Sequence, residues 1–288
     1  MVSTICAFTP DRQEIYRYAG GPVLAVPEQL AWTRIQQGGG VIELFGGGFG
    51  LFATMRNVNG FQNGHLWWWR RRLGIMFNGW HPIGRPGYMF AVTSESVYGL
   101  TPDRSAVYRY DGYRTGTLQE NNWTRVGGPA GRLYGGKFGL FATNPSNGNL
   151  FRYLGSPDKW EFIGLPGASF AVTGDTVYGL TPDRSAVYRY DGFGSNWTRV
   201  GGPAKEIYGG EYGLVATSPI DGNLFRYLNR PDYWILIGGP GASFAVTRDT
   251  VYGLTPDKGA VYQYSGLPNI WNRVGGAADA IYAFEEQD

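Results

Sequence analysis

Hydrophobic and polar residues alternate in short runs along this chain, and the runs recur in a fixed order. Residues 97–112 read VYGLTPDRSAVYRYDG: an apolar run, a Pro-Asp turn, then a Val-Tyr-Arg-Tyr run. The same letters return at 177–192. A close variant, VYGLTPDKGAVYQYSG, occupies 251–266, and a more divergent copy, ICAFTPDRQEIYRYAG, occupies 5–20. Short alternating runs bounded by turn residues predict strands rather than helices. Repetition on this scale predicts a solenoid or a propeller.

A second kind of unit lies between the first. It reads LYGGKFGLFATNPSNGNLFRYLGSPDKWEFIGLPG from residue 133 and IYGGEYGLVATSPIDGNLFRYLNRPDYWILIGGPG from residue 207. Trp123, Trp160, Trp197, Trp234 and Trp271 follow one another at intervals of 37 residues. Trp80 and Trp32 extend the series at longer intervals, with insertions at 21–31, 70–79 and 113–122, which makes seven units. Each unit carries four strand signals; in the fifth they are 170–173, 177–181, 186–191 and 197–201.

The expected fold is all-β: a seven-bladed β-propeller with four-stranded blades of two alternating types. The blades divide as 4–43, 44–89, 90–131, 132–168, 169–205, 206–242 and 243–279, in one domain spanning 1–288. The first unit lacks its first strand, while 280–286 (AIYAFEE) repeats a first strand with no blade after it. The C-terminal strand is therefore expected to complete blade 1 and close the ring. The third strand of every unit has two aromatics flanking one central residue, as in Tyr108/Tyr110 and Tyr188/Tyr190. These rings should form the main core between blades. The central cations Arg17, Arg109, Arg152, Arg189 and Arg226 are expected to stack against the adjacent blade.

Composition supports the same picture. There are 46 Gly and 17 Pro, which favour turns over long helices, and aromatics make up 16%. A net charge of +2 argues against an electrostatic nucleic-acid binder. No apolar stretch is long enough for a spanning helix, so membrane insertion is not expected. The N-terminus shows no secretory signal, which leaves a cytoplasmic protein, or one secreted without a visible signal peptide, as the expectation. Cys6 is the only cysteine and sits in a predicted strand, as a small core residue would. Asp11, Asp103, Asp183 and Asp257 each follow a Pro and read as turn residues. No metal site, cofactor or catalytic residue is expected, and a monomer is favoured.

The segments WTRVGGPA (123–130 and 197–204) and WNRVGGA (271–277), with VYGL and VYRYDG strands, resemble the tectonin family of β-propellers; tachylectin-like propellers are similar. The resemblance covers essentially the whole chain, although the GLFAT and GLVAT units follow its pattern less closely. It implies a multivalent, non-catalytic lectin that binds glycans. Sugar recognition wants an aromatic face beside planar donors and acceptors. The carbohydrate-binding candidates are accordingly Trp123, Trp160, Trp197, Trp234, Trp271, Arg109, Arg189, Tyr110, Tyr190, Asp111 and Asp191, in sites between blades or at their edges. Two rival readings stand. One is a protein-interaction scaffold using the ring face or the Trp-Arg run at 67–72. The other is an enzyme with a single site at the central channel, using His65 or His81.

Overall fold

The computed structural model describes residues 2–20, 31–56, 63–70, 79–112 and 122–286. The insertions anticipated at 21–31, 70–79 and 113–122 lie almost wholly outside them, as do Arg71 and Arg72. The described residues form seven four-stranded antiparallel sheets, the seven-bladed propeller expected. In the fifth blade the strands are Ser169–Val172, Val177–Leu180, Val187–Tyr190 and Trp197–Gly201. Blade 1 is completed by Ile281–Glu286, which pairs antiparallel with Val2–Phe8 from Ala7↔Ile281 to Val2↔Glu286. Two ion pairs hold this closing strand. Arg17 in blade 1 pairs with Glu286, and Arg248 in blade 7 meets both oxygens of Glu285 at 2.7 Å.

The first strand of each blade lines the channel and touches the first strands on either side. Their sequences alternate in bulk. Blades 2, 4 and 6 present Gly46-Gly47, Gly135-Gly136 and Gly209-Gly210, whereas blades 3, 5 and 7 present Val92, Val172 and Val246. A Cβ on Gly135 would lie 2.5 Å from the Val92 carbonyl oxygen, and one on Gly209 would lie 2.6 Å from that of Val172. The glycines thus let neighbouring backbones approach more closely than any side chain allows. Two types cannot alternate strictly around an odd ring. Blade 1 resolves this with a mixed composition: its inner strand follows the glycine-type pattern but carries Ala283-Phe284 in place of Gly-Gly, while its remaining strands follow the VYGL pattern.

The blades are locked at their outer strands by one repeated device. Every third-to-fourth strand ladder contains a β-bulge, whose extra residue is Ile35, Ile83, Val126, Ile163, Val200, Ile237 or Val274. The apolar side chain of each is buried, and the carbonyl has no partner in its own ladder. In every case the indole N–H of the next blade's outer-strand Trp donates to that carbonyl, over 2.6–3.2 Å. The last of these, Trp32 to Val274, joins blade 1 to blade 7. Six of the bulges are followed by Gly, on which the indole edge rests. At blade 1 the residue is Gln36, and there the Trp80 bond is the longest of the seven.

The latch makes two substitutions informative. Trp197→Phe keeps the ring but leaves the Ile163 carbonyl without its donor, and should cost about 1–3 kcal/mol. Gly164→Ala would place a Cβ 2.8 Å from the Trp197 Nε1, and overpacking of this kind costs about 1–3 kcal/mol. Urea unfolding should show both as lower midpoints with an unchanged slope; wild-type midpoints would refute the latch.

Candidate functional site: the clefts between blades

Strand alternation decides which candidate residues can meet. In blade 3, Tyr110 and Trp123 are 5.4 Å apart and face blade 2, where Trp68 meets Tyr110 edge-on at 6.1 Å. Arg109 points the other way, with Tyr98 and the blade 4 residue Tyr153. Blade 5 repeats this: Tyr190 packs on Trp197, facing blade 4, while Arg189 faces blade 6. The Trp, Arg and Tyr-Asp of one blade therefore do not form one site. Each sheet separates Trp and Tyr from Arg and Asp, and a cleft combines one blade's Arg and Asp with the next blade's Tyr and Trp.

Two such clefts are near twins. Between blades 3 and 4, Arg109 donates from Nε and an Nη to Asp111 Oδ1 at 3.1 and 2.9 Å, and Thr124 donates to Oδ2. The Asp111 contact raises the Arg109 pKa. The facing wall is Tyr153 and Trp160, with Asp158 held at 2.9 Å by Arg125. The Tyr153 hydroxyl is buried without a hydrogen-bond partner among the described residues, and burial pushes the Tyr98 phenol up to about 12. Between blades 5 and 6, Thr198 donates to Asp191 at 3.0 Å, and Arg189 lies between Asp175 at 3.6 Å and Asp191 at 4.0 Å. The facing wall is Tyr227, Trp234 and Asp232. After blade 7 the pattern lapses, because Gln263, Ser265 and Asn272 replace Arg, Asp and Thr.

The remaining candidates are placed as follows. Trp271 packs on Tyr264 and donates to Ile237. Arg152 and Arg226 do stack on aromatics, but not on the adjacent blade as expected. Each covers a ring in the first hairpin of its own blade, Phe138 at 4.3 Å and Tyr212 at 3.8 Å. That hairpin folds back over the third strand and reaches the guanidinium first. Cys6 is buried, and its thiol pKa is pushed well up by desolvation. Asp11, Asp103 and Asp257 each accept from the Thr two residues earlier at 2.6 Å and from the backbone N–H two residues later at 3.0 Å. Among the described residues no three His, Cys, Asp or Glu side chains gather as a metal site.

The channel holds a cavity of about 290 Å³, lined by the glycine and valine strands. At its mouth Lys137 donates to Glu211 at 2.6 Å, while Arg248 binds Glu285 and lies 3.6 Å from Glu211. Burial pushes both carboxyls up. For Glu211, Lys137 and Arg248 outweigh it and hold the group low; Glu285 stays high. The two imidazoles are elsewhere: His65 and His81 lie in the third and fourth strands of blade 2. Burial, with Arg70 nearby, lowers the His81 pKa.

A different cleft, between blades 2 and 3 and of about 460 Å³, was not visible as a site in the repeat pattern. Its walls are Phe90, Tyr108 and Trp123, its rim Pro86 and Pro102, and Arg85 stands at its edge. The sequence signal for it is the single change from Gly-Leu-Pro-Gly (164–167) and Gly-Gly-Pro-Gly (238–241) to Gly-Arg-Pro-Gly (84–87).

No protein-family model matches the chain, and no curated protein matches it. Solved structures do. Yeast RCC1 (Prp20) bound to Kap60 is 13% identical with a TM-score of 0.58, over 96% of this chain and 84% of that one. Prp20p from Saccharomyces cerevisiae, described with its binding to Gsp1p and histones, is 14% identical with a TM-score of 0.61, over 95% and 86%. A xyloglucanase from Xanthomonas campestris gives a TM-score of 0.50 at 14% identity, over 93% of this chain and 43% of that one. Likeness at this identity shows the propeller fold, which hosts many functions. The specific tectonin or tachylectin relationship is not among these similarities.

The turn aspartates give a pH test. Hydrogen bonds from Thr101 and Ser105 lower Asp103 to about 2, and those from Thr181 and Ser185 lower Asp183 likewise. A depressed folded-state pKa contributes stability above the ordinary carboxylate value of 3.8 and loses it as pH falls toward about 2. The Asp103→Asn, Asp183→Asn double variant should therefore flatten the fall in Tm between those pH values. An acid limb as steep as the wild type's would contradict the turn role.

Proposed function

We propose that this chain is a non-catalytic protein-interaction propeller, a rigid ring presenting one asymmetric surface to one partner. The observation that carries this reading is where the repeat breaks. Blades 3, 5 and 7 share their strands almost letter for letter. Yet the connection entering blade 3 carries Arg85 and Tyr88, where its sisters carry Leu165 and Ala168 or Gly239 and Ala242. Blade 2 itself departs most, with Trp67-Trp68-Trp69 in its third strand. Repeated ligands favour the same surface on every blade; a single partner favours one region unlike the rest. The similar ring of yeast RCC1 in its Kap60-bound structure fits this reading. The non-catalytic part rests on chemistry: the two imidazoles lie away from the channel, and the channel-mouth carboxylates are engaged by Lys137 and Arg248.

A second reading, sugar binding by a lectin, is favoured by the twin clefts and by the unpartnered Tyr153 hydroxyl. Against it, all the indole N–H groups of the blade-opening Trp residues are spent on the latches, and Asp111 is already satisfied on both oxygens.

The two readings differ in stoichiometry and competition. Protein captured on the immobilised ring should saturate at one partner per ring and resist excess free monosaccharide. The lectin reading instead expects a positive glycan array, with signal reduced by Arg109→Ala or Arg189→Ala. Capture released by a single free sugar would replace the first reading with the second.

A further inference from the structure

The geometry points to the cleft between blades 2 and 3 as the docking site for an acidic peptide segment carrying an aliphatic or aromatic anchor. This rests on the protein-interaction reading and names the partner chemistry of its asymmetric surface. The anchor's place is the cleft of about 460 Å³ walled by Phe90, Tyr108 and Trp123, within the size range of ligand pockets. The acidic requirement comes from two arginines, Arg85 at its edge and Arg104 over Tyr88 beside it.

Arg85 stands exposed at the cleft edge, with no hydrogen bond or ion pair among the described residues. Arg104, in the turn between the second and third strands, has its guanidinium 3.7 Å over the ring of the exposed Tyr88. The backbone of that turn is tied at 3.2 Å to Ala130, two residues before Arg132. In the sister blades the equivalent of Arg104 has a carboxylate: Arg184 binds Glu206 at 2.9 Å, and Lys258 binds Asp279 at 2.7 Å. In blade 3 both acids are gone. Arg132 stands where Glu206 would be, and Gly131 where Asp279 would be. Among the described residues no carboxylate pairs with Arg85, Arg104 or Arg132. A site whose cations have lost their internal acid partners has the charge to take an acid from outside. An apolar anchor separates this from phosphate recognition: two cations on a chain of net charge +2 are few for a nucleic-acid surface, and the cleft walls offer rings rather than donors. Arginine and aromatic residues are also the side chains that most often dominate protein interfaces.

The test is a selection of phage-displayed random linear peptides on the intact protein, with Arg85→Glu, Arg104→Glu as the counter-target. Both side chains lie at the surface, and a thermal melt matching wild type confirms that the double variant folds; Arg85→Gln, Arg104→Gln serves if it does not. Enriched sequences should combine Asp or Glu with Leu, Phe, Tyr or Trp. A synthetic peptide of the enriched sequence should bind about tenfold or more weakly to the variant, and more weakly as salt rises. Trp123 fluorescence is not needed; anisotropy of the labelled peptide reads all arms. Enriched peptides without acids, or equal binding to the variant, overturn the inference while leaving the protein-interaction reading intact. Displacement of the peptide by poly(U), with no apolar residue enriched, also overturns it, in favour of a phosphate ligand. Failure to enrich any peptide overturns it too; if the immobilised ring also captures no protein, the broader reading falls with it.

Discussion

The structure depends on a carbonyl that its own sheet cannot satisfy. A β-bulge in the outer ladder of each blade leaves one residue outside the pairing, and a backbone carbonyl without a partner is costly inside a protein. The tryptophan of the next blade supplies the missing donor. An indole suits the task because its nitrogen only donates and its ring is long enough to span the gap between sheets while burying apolar surface. The same bond occurs at all seven junctions, including Trp32 to Val274. The ring therefore closes with the interaction that assembles it, besides the strand pairing of the C-terminus.

A second constraint acts on the channel. Inner strands that converge on an axis have less room than strands at the rim. The chain meets this by setting Gly-Gly against Val on neighbouring blades, so that bulk on one strand fills the space vacated by the next. This complementarity gives a physical reason for two blade types. It also accounts for the hybrid character of blade 1, where Ala283 stands between Val246 of blade 7 and Gly46 of blade 2. An odd ring forces one intermediate member, and the closing strand is that member.

These demands consume most of the residues that look functional. The repeated tryptophans are structural on their N–H edge. The turn aspartates cap their own hairpins, and the arginines of blades 4 and 6 stack on their own first hairpins. Among the described residues, what the fold leaves over is the pair of cations without an acid partner beside the cleft between blades 2 and 3, where the repeat is broken, and the Tyr153 hydroxyl without a hydrogen-bond partner in the repeated cleft between blades 3 and 4. In a protein made of copies, the divergent positions carry information that the shared positions cannot.

The sequence alone determined the number of blades, their four strands, their two types and the closing strand. All of these follow from local periodicity and from counting repeats. It also contained the latch in the spacing from Trp to the Ile or Val three residues later, although not its meaning. Only the tertiary structure decided which residues share a cleft. Side chains one position apart on a strand leave opposite faces of the sheet, so Trp123 meets blade 2 while Arg109 meets blade 4, however close they lie in the repeat. The loss of Arg104's acid partner was likewise invisible until the blades were set side by side. That partner belongs to the connection leading into the next blade, and its absence is a fact of neighbourhood rather than of sequence order.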